Sequence, residues 1–382
     1  MRNLFQVLAM TAAGRIIPVL MVPAGTPSES RTAFTEIDGV EVLELPASLG
    51  GRRRTRLLAL LIGRDGRLER WLHAQRIDLV FEATDFIGWR NRIPALAWIP
   101  DFQHKHLPDM FERSRLWGRE LLYQLQTRSG RTIMLSSEVI RRECEKYYPA
   151  SRGRTTVVRF CVPPNPASAD ASLAQRYQLP AQYLYLPNQF WKHKNHGVIV
   201  EALSLLRREG RSVTVIASGN PSDIRDAGYF PALLRRIESL DLRDSWRFLG
   251  LIPYKDVLSL MRSSVAVINP SLVEGWSTSV EEAKSLRVPL VLSDIPVHRE
   301  QAIRDAIFFD PHSAAAAAAA LLEASMRFAP MPRGAERPID PDWQERLRTF
   351  GSEFIAAVEI AIDRGAAFKL PMDRSAARND HS

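Results

Sequence analysis

Short apolar runs alternate with longer amphipathic stretches along most of the chain. Residues 79–82, 95–100 and 132–136 are short runs of mainly apolar side chains, and residues 113–125 carry apolar side chains at helical spacing. Buried parallel strands are near-continuous apolar runs, and the connections between them are usually helices. The alternation therefore predicts an α/β fold with parallel sheets whose faces are covered by helices.

Further elements follow from the same pattern. In the first half it predicts strands at 16–22, 40–45, 79–82, 95–100, 132–136 and 155–161, with helices at 2–13, 57–72, 113–125 and from the cap Ser137 to 147. In the second half it predicts strands at 183–187, 212–218, 246–249, 265–269, 289–293 and 306–310, with helices at 195–208, 230–239, 255–262, 278–286, 313–327 and 342–363.

A proline cluster, Pro163-Pro164-Asn165-Pro166, interrupts this alternation. Proline-rich segments form stiff, extended connectors. We therefore predict a first domain at 1–163 and a second domain at 167–340. A last helix at 341–368 and a disordered polar tail at 369–382 follow.

The basic excess of the chain lies in its first part. Residues 1–160 contain 25 of the 51 Lys and Arg residues but only 17 of the 43 Asp and Glu residues, so the whole formal net charge of +8 belongs to this part. Its densest run consists of Arg52, Arg53, Arg54 and Arg56. The run predicts either a solvated loop before a core helix or docking to an anionic membrane surface. Nucleic acid is a third alternative, but no recognition motif accompanies the charge.

Composition narrows the class of protein. No apolar run reaches the roughly 18–20 residues that a membrane span needs. The two cysteines, Cys144 and Cys161, are too few for a disulfide framework or a cysteine-type metal site. These features predict a cytoplasmic protein, either free or peripheral on the inner face of the plasma membrane.

Residues 265–293 hold the densest concentration of candidate chemistry. An apolar strand at 265–269 precedes Glu274, small hydroxyl residues at 277–279 cap a helix that carries Glu282, and a second apolar strand follows. Ligands of open α/β sheets bind at the carboxyl ends of the strands. Helix N-termini bind anions such as phosphate, and two carboxylates can each bind a pair of vicinal hydroxyls. A diphosphate flanked by two sugars needs both devices.

Glu274-x7-Glu282, followed by Ala283 and by Ser293-Asp-Ile-Pro-Val-His-Arg-Glu300, resembles the retaining glycosyltransferases of family 4. The resemblance extends from about Leu4 to Asp363. It implies a GT-B fold, in which two Rossmann-like domains with parallel sheets face each other across a cleft. It also implies a nucleotide-diphospho-sugar donor, GDP- or UDP-linked, with no metal and no cofactor. The usual first strand and Gly-rich loop of the N-terminal domain are apparently missing before the helix at 2–13.

The same resemblance assigns the donor site. Glu274 contacts the donor sugar, Glu282 holds the ribose hydroxyls, and Lys194 binds the diphosphate. The residues after Glu274 meet the sugar and the phosphates; they are Gly275, Trp276, Ser277 and Thr278. Gln189 stands where many relatives have a second cation, an arginine, and it can donate a hydrogen bond but cannot neutralise charge.

Three further features complete the candidate site. His104, supported by Asp101, resembles the active-site histidine segment of the acceptor side, with His106 as the alternative. Gly219 and Asn220 follow a strand of the second domain and are either nucleotide contacts or only a turn. His193 and His196 match no usual spacing of metal ligands.

We therefore predict a retaining hexosyltransferase that moves a sugar from a nucleotide-diphospho-sugar to a saccharide or lipid-linked acceptor in bacterial surface polysaccharide synthesis. The alternative is a catalytically impaired module of the same fold that binds a nucleotide sugar without turnover. A nucleic-acid binder would instead show affinity that falls steeply with salt.

Overall fold

The alternation of strands and helices persists in the structure, a computed structural model of the chain. It describes residues 2–12, 14–49, 51–83, 85–164, 172–223, 225–302, 305–330 and 338–368, without the side chains of residues 52, 53 and 366–368. Two predicted features, the tail at 369–382 and the second half of the proline cluster, lie outside the described residues.

The elements up to residue 160 are α1 (Arg2–Thr11), β1 (Val19–Pro23), α2 (Ser28–Thr35), β2 (Glu41–Leu45), α3 (Gly51–Leu61), α4 (Gly66–Ala74), β3 (Val80–Glu82), β4 (Ala95–Ile99), α5 (Gln103–His106), α6 (Arg113–Arg128), β5 (Thr132–Leu135), α7 (Glu138–Tyr147) and β6 (Thr155–Val157). The following elements are α8 (Leu173–Arg176), β7 (Leu184–Leu186), α9 (His196–Arg208), β8 (Val215–Ala217), α10 (Tyr229–Ser239), β9 (Trp246–Phe248), α11 (Tyr254–Ser263), β10 (Val267–Asn269), α12 (Thr278–Ser285), β11 (Leu290–Ser293), α13 (Pro296–Gln301), β12 (Ala306–Phe309), α14 (Ala314–Arg327) and α15 (Trp343–Phe368). Short 3-10 turns lie at Ala47–Leu49, Pro108–Met110, Pro149–Ser151 and Lys192–Lys194.

Two compact units divide the chain. The first consists of Met1–Pro100, Trp117–Arg159 and Arg348–Ser382, and the second consists of Asp101–Leu116 and Phe160–Leu347. The segment that carries α5 therefore packs with the second unit, although it precedes the proline cluster. The domain limits drawn from the sequence remain predictions.

The first unit contains two parallel sheets. Strands β3, β4, β5 and β6 lie in sequence order in one sheet, with Val80 opposite Ala95 and Leu96 opposite Thr132. Strands β1 and β2 form a separate parallel pair. Every residue of β5 is buried, as expected for a strand covered on both faces.

The second unit is built on one six-stranded parallel sheet. Its strand order is β9-β8-β7-β10-β11-β12, which is the 3-2-1-4-5-6 order of dinucleotide-binding folds. Two buried clusters cover its faces: one includes side chains of α9, α10 and α14, and the other includes side chains of α8, α11 and α12. The alanine-rich stretch of α14 is a helix whose small side chains are buried in the first of these clusters.

The prediction of a single helix over 57–72 was wrong. Gly63 has φ +84°, a left-handed conformation that only glycine adopts readily, and it ends α3. Asp65 then begins α4, because its side chain accepts hydrogen bonds from the backbone N–H groups of Arg67 and Leu68. Helix α2 was missed for another reason: it buries no residue, so no apolar period marks it.

Within the described parts of the chain, no helix combines the length and the apolar character that crossing a bilayer requires.

Candidate functional site

The candidate site lies where the strand order of the second unit reverses. Strands β7 and β10 are direct neighbours, with Tyr185 opposite Val267, although β8 and β9 lie between them in sequence. The connections after β7 and β10 leave toward opposite sides of the sheet, which opens a crevice at their carboxyl ends. Lys194 lies on the chain that leaves β7, and Glu274 lies on the chain that leaves β10.

Lys194 and Glu274 form an ion pair in this crevice. Lys194 Nζ lies 2.5 Å from Glu274 Oε1, and both side chains are mostly buried. A buried pair of this kind is strongly destabilised when one partner is removed, because the remaining charge then lacks compensation. The structure thus brings together two candidate site residues that lie 80 positions apart in the sequence.

Asn195 fixes the direction of Lys194. Its backbone is left-handed, with φ 56°, a conformation that asparagine tolerates better than most residues. Its side-chain amide donates hydrogen bonds to the carbonyl oxygens of Pro270 and Pro311. The turn that carries the lysine is therefore attached to the start of the Glu274 loop.

A small polar network orients Glu274. Ser271 Oγ lies 2.7 Å from Glu274 Oε1, and Asn269 Nδ2 lies 3.5 Å from the same oxygen. Burial alone would raise the pKa of the Glu274 carboxyl, but the charges of Lys194 and His298, with hydrogen bonds from Lys194 and Ser271, lower it to about 2. Glu274 is therefore an anion throughout the physiological pH range.

Hydrogen bonds from residues elsewhere in the chain hold the loop after Glu274. Gln301 accepts a hydrogen bond from the Ser277 N–H (2.9 Å) and donates one to the Ser277 carbonyl (2.7 Å). Asn269 donates to the Ser277 hydroxyl at 2.8 Å, and the Trp276 indole donates to the Phe160 carbonyl. A donor phosphate would have to replace Gln301 to accept from the Ser277 N–H, and the role of Ser277 in donor binding remains a prediction.

Thr278 remains a candidate at the start of α12. It is the first residue of the helix and is exposed, unlike Ser277 and Ser279 on either side. Gly275, by contrast, is buried. An exposed hydroxyl at a helix N-terminus is suited to an anionic ligand.

Glu282 lies one turn further along α12 and is also buried. Its Oε1 accepts a hydrogen bond of 2.8 Å from the hydroxyl of Tyr254, at the start of α11. Burial raises the pKa of Glu282 to about 7, although the hydrogen bond from Tyr254 opposes this effect. The neighbouring Glu281 instead accepts hydrogen bonds from Lys284, Gln301 and Arg346.

Gln189 and Gly219 meet beside this crevice. The Asn220 N–H donates to the side-chain oxygen of Gln189 at 2.7 Å. Gly219 has φ +153°, and a Cβ there would lie 2.3 Å from the carbonyl oxygen of Asn188. This close approach to Asn188 requires glycine at position 219, and the contact of Gly219 and Asn220 with the nucleotide remains a prediction.

The His104 segment packs against the loop after β8. Asp101 accepts a hydrogen bond from the backbone N–H of Gln103, which begins α5, and His104 is buried. Arg225 donates to the side-chain oxygen of Gln103 at 3.0 Å and forms an ion pair with Asp223. The predicted acceptor-side segment thus belongs to the same unit as Glu274, with Arg225 as a contact that the sequence did not indicate.

Three histidines near the ion-pair residues in sequence are buried: His193, His196 and His298. Burial, followed by the charge of Lys194, lowers the pKa of both His193 and His196 to about 3, so both are neutral at pH 7. Among the described residues, no group of three or more His, Cys, Asp or Glu side chains is placed to hold a metal ion.

Several residues of the site escaped the sequence analysis. Tyr254, Gln301 and Arg225 lie on elements distant in sequence from the ones that they contact, and no local pattern marks them. Asn269 could have been found, because it is a polar residue at the end of the apolar run 265–269.

Comparison with known proteins agrees with this geometry. The family described as glycosyl transferases group 1 matches residues 178–326, the region that contains Lys194, Glu274 and Glu282. The likeness to this family therefore lies in the part of the chain that carries the candidate site. The chain is also 25% identical over 265 residues to the O-antigen chain mannosyltransferase B of Escherichia coli, covering 67% of this chain and 68% of that protein.

Solved structures extend the likeness in fold to almost the whole length of the chain. A glycosyltransferase from Rickettsia africae has a TM-score of 0.64 at 15% identity, covering 97% of this chain and 95% of that one. Anabaena HepE, crystallised with UDP and glucose, has a TM-score of 0.62 at 16% identity, covering 96% and 94%. The predicted GT-B fold is confirmed.

Proposed function

We propose that this protein transfers a sugar from a nucleotide-diphospho-sugar to a saccharide or lipid-linked acceptor, with retention of configuration. The observation that carries the proposal is the buried Lys194–Glu274 pair at the reversal of strand order, with Glu282 on the next helix. The similarity to an O-antigen chain mannosyltransferase supports a hexose donor and a role in bacterial surface polysaccharide synthesis. The nucleotide is GDP or UDP, and the reaction uses no cofactor.

Lys194 is the group that stabilises the leaving diphosphate. Negative charge grows on the diphosphate as the bond to the sugar breaks, and a preorganised ammonium stabilises that change. Without donor, the ammonium is neutralised by Glu274. With donor, Lys194 exchanges part of this contact for the phosphate oxygens, and Glu274 turns its second oxygen to the sugar hydroxyls.

Glu282 holds the ribose of the donor. Its carboxylate is buried, and Tyr254 occupies only one of its oxygens. The other oxygen is available to a ribose hydroxyl, and Gly219 and Asn220 contribute backbone on the same side of the sheet. Gln189 supports this backbone through Asn220, and does not replace the arginine found in many relatives.

His104 and Asp101 serve the acceptor side in this proposal. Glu274 is not suited to act as a nucleophile, because it is bound by Lys194, Ser271 and Asn269. A front-face displacement, in which the leaving phosphate accepts the proton of the acceptor hydroxyl, fits this arrangement. The proposed place of action is the cytoplasm at the inner face of the plasma membrane, with Arg56 of the basic run at 52–56 as its exposed cation toward the anionic lipids.

A panel of UDP-, GDP-, ADP- and TDP-sugars tests the proposal by thermal stabilisation of the purified protein. A ligand present at a hundred times its Kd adds about 2.7 kcal/mol to the free energy of unfolding. We expect one donor class to stabilise the protein, and Glu274→Gln to reduce this effect. Lys192→Gln is the matched control, because Lys192 is an exposed cation two residues from Lys194.

Turnover separates the enzyme from the alternative of a binding module. Hydrolysis or transfer of the sugar from the donor that stabilises the protein, lost in Lys194→Gln, supports the enzyme. Stabilisation without any release of nucleoside diphosphate, with a range of saccharide acceptors, would support the binding module instead. No stabilisation by any donor would refute both.

A further inference from the structure

The first unit exposes large apolar side chains along one side of α6. Trp117 is 71% exposed and Leu121 is 53% exposed. Leu125 and Arg128 continue the same side of the helix, because residues three and four apart lie above one another. Exposed tryptophan is rare on the surface of a monomeric protein, and contiguous apolar patches mark interaction sites.

The apolar surface continues beyond α6. Trp89 and Leu125 line one cavity of about 490 Å³, together with Arg128, Ser129, Gly130 and Arg154. Trp89 in turn covers Gly63, since a Cβ at Gly63 would lie 2.7 Å from its ring. Gly63 directly follows Leu61 and Ile62, which are 72% and 53% exposed at the end of α3.

These residues form one surface, which we call the α3–α6 face: Leu57, Leu61, Ile62, Trp89, Trp117, Leu121 and Leu125. All of them belong to the first unit. Leu57 and Leu61 are four residues apart on α3, and both are exposed. The face therefore joins the exposed ends of two helices through a tryptophan.

Cations surround the α3–α6 face. Arg56 and Arg128 are exposed, and Arg90 lies over the ring of Trp89 at 5.7 Å. Arg154, which lines the cavity, donates hydrogen bonds to the carbonyl oxygens of Arg131, Thr127 and Ala150. Among the described side chains, the exposed cations Arg56, Arg90 and Arg128 therefore lie at the rim, where an anionic partner can reach them.

Acidic side chains near α6 cancel only part of this charge. Glu112, directly before the helix, forms an ion pair with Arg115 at 3.4 Å. Glu120 accepts hydrogen bonds from Tyr148 and Gln124, and so it is directed toward its own unit. Arginine outnumbers acid on α6 itself, which carries Arg113, Arg115, Arg119 and Arg128 with Glu120 as its only acid. A surface with apolar side chains at its centre and arginine at its edge is complementary to an anionic bilayer.

We propose that the α3–α6 face is a membrane-docking surface that takes an anionic phospholipid bilayer. Trp117, Leu121, Leu61 and Ile62 enter the headgroup and acyl boundary, where tryptophan is favoured. Arg56, Arg90 and Arg128 meet the phosphates. This goes further than the run of arginines at 52–56, because the apolar side chains of two helices supply the insertion.

Arg54 is excluded from this role. Its guanidinium donates to Asp65 at 2.8 Å and to the carbonyl of Leu49, and Asp65 is buried as the cap of α4. Of the cations in the run, Arg54 thus stabilises the junction of α3 and α4. Its substitution would disturb folding rather than lipid binding alone.

Co-sedimentation of the full chain with vesicles tests the proposal. We expect binding to vesicles of phosphatidylcholine with phosphatidylglycerol, weaker binding to phosphatidylcholine alone, and loss of part of the affinity at high salt. Trp117→Ser with Leu121→Ser should lower the partition coefficient about tenfold or more, since two exposed apolar side chains no longer enter the bilayer. Leu61→Ser with Ile62→Ser should act in the same direction.

Matched controls lie in the second unit. Met326 is 70% exposed and Leu234 is 41% exposed, so Met326→Ser with Leu234→Ser removes similar side chains from another surface. This pair should leave vesicle binding unaltered. Arg56→Gln and Arg128→Gln should each weaken binding about fivefold to anionic vesicles only.

Brominated lipids identify the residue that inserts. They should quench part of the tryptophan fluorescence of the wild type, and this part should be absent in Trp117→Phe. Vesicle binding that survives both serine pairs would overturn the proposal, as would the absence of vesicle binding. A dimer in solution that dissociates in the Trp117→Ser, Leu121→Ser variant would show that the face is a contact between two copies instead.

Discussion

Two glutamates near the reversal of strand order have carboxyl pKa values that are shifted in opposite directions. Glu274 has a pKa of about 2 because Lys194 compensates its burial, whereas Glu282 has a pKa of about 7 because burial is opposed only by one neutral hydroxyl. The two carboxyl groups differ in environment rather than in type. Their separate roles in the proposed donor site follow from that difference.

Donor binding should depend on the ionisation of Glu282. A carboxylate accepts hydrogen bonds from ribose hydroxyls at both oxygens, whereas the protonated form accepts fewer. We therefore expect the donor affinity to rise as the pH rises through about 7. Tyr254→Phe removes the hydrogen bond that lowers the pKa of Glu282, so the rise should move to higher pH. Calorimetric titration of the donor between pH 5.5 and 9 measures it.

Tyr177→Phe is the control for this experiment. The hydroxyl of Tyr177 also donates to a carboxylate, that of Asp256 at 2.7 Å, outside the crevice. Its loss should leave the pH profile of donor binding unaltered, whereas Glu282→Gln should make the profile flat. A profile that keeps its midpoint in Tyr254→Phe would show that Glu282 does not bind the donor.

At the scale of elements, the junction after β8 depends on one glycine. Gly219 approaches the Asn188 carbonyl, and the Gly219 N–H donates to the carbonyl of Gly250, so the ends of β7, β8 and β9 are connected there. Alanine at this position would overlap the carbonyl oxygen and would also be strained at φ +153°. The carboxyl edge of the sheet could keep its shape only by moving one of these strands.

We expect Gly219→Ala to destabilise the protein by about 1–3 kcal/mol, in the range of overpacking substitutions, and to weaken donor binding. Gly210→Ala provides the comparison. Gly210 also has positive φ, but a Cβ there would meet no atom within 4 Å. Equal losses of stability in the two variants, measured by chemical denaturation, would mean that the contact with Asn188 is unimportant.

The short helix α5 shows how an element can be held by a residue that is remote in sequence. Arg225 holds Gln103 from the loop after β8, and it stacks over Trp191 at 5.0 Å. Asp223 orients the guanidinium through both of its oxygens. This arrangement explains why the His104 segment packs with the second unit, although the sequence predicts it in the domain before the proline cluster.

At the scale of the whole molecule, buried histidines make the stability sensitive to acid. His193 and His196 have pKa values of about 3 in the folded protein and about 6.5 when exposed, so below pH 6.5 the unfolded chain binds more protons. Stability should therefore fall with decreasing pH, by roughly 1.4 kcal/mol per unit for each histidine. Glu282 acts in the opposite direction between about pH 7 and 4.5, but it is one group against two.

Urea denaturation between pH 7.5 and 4.5 measures this slope. His196→Phe should reduce it by about one proton, since phenylalanine keeps the aromatic contact that His196 makes with Phe190 at 4.2 Å. His312→Phe is the control, because His312 is exposed in the turn before α14. An unaltered slope in His196→Phe would show that this imidazole takes up a proton without unfolding.

Charge is also distributed at this scale. The whole excess of +8 lies in residues 1–160, which include the α3–α6 face, whereas the second part of the chain is balanced. The proposed membrane surface and the proposed donor site therefore occupy different regions of the sequence. Docking and donor binding can be tested by separate variants.

The sequence by itself determined the α/β class and the position of nearly every strand, because these follow from local apolar runs. It marked Lys194, Glu274 and Glu282 as candidates through the resemblance to a family, and their roles remain predictions. Its one large error, the helix at 57–72, arose where the local signals Gly63 and Asp65 were outweighed by the apolar period. Only the tertiary structure decided that Lys194 and Glu274 neutralise each other, that Tyr254 holds Glu282, and that Trp89 packs against Gly63. These contacts join residues far apart in the chain, and no regular sequence spacing predicts them. They depend on strand order and burial, which the linear sequence does not express.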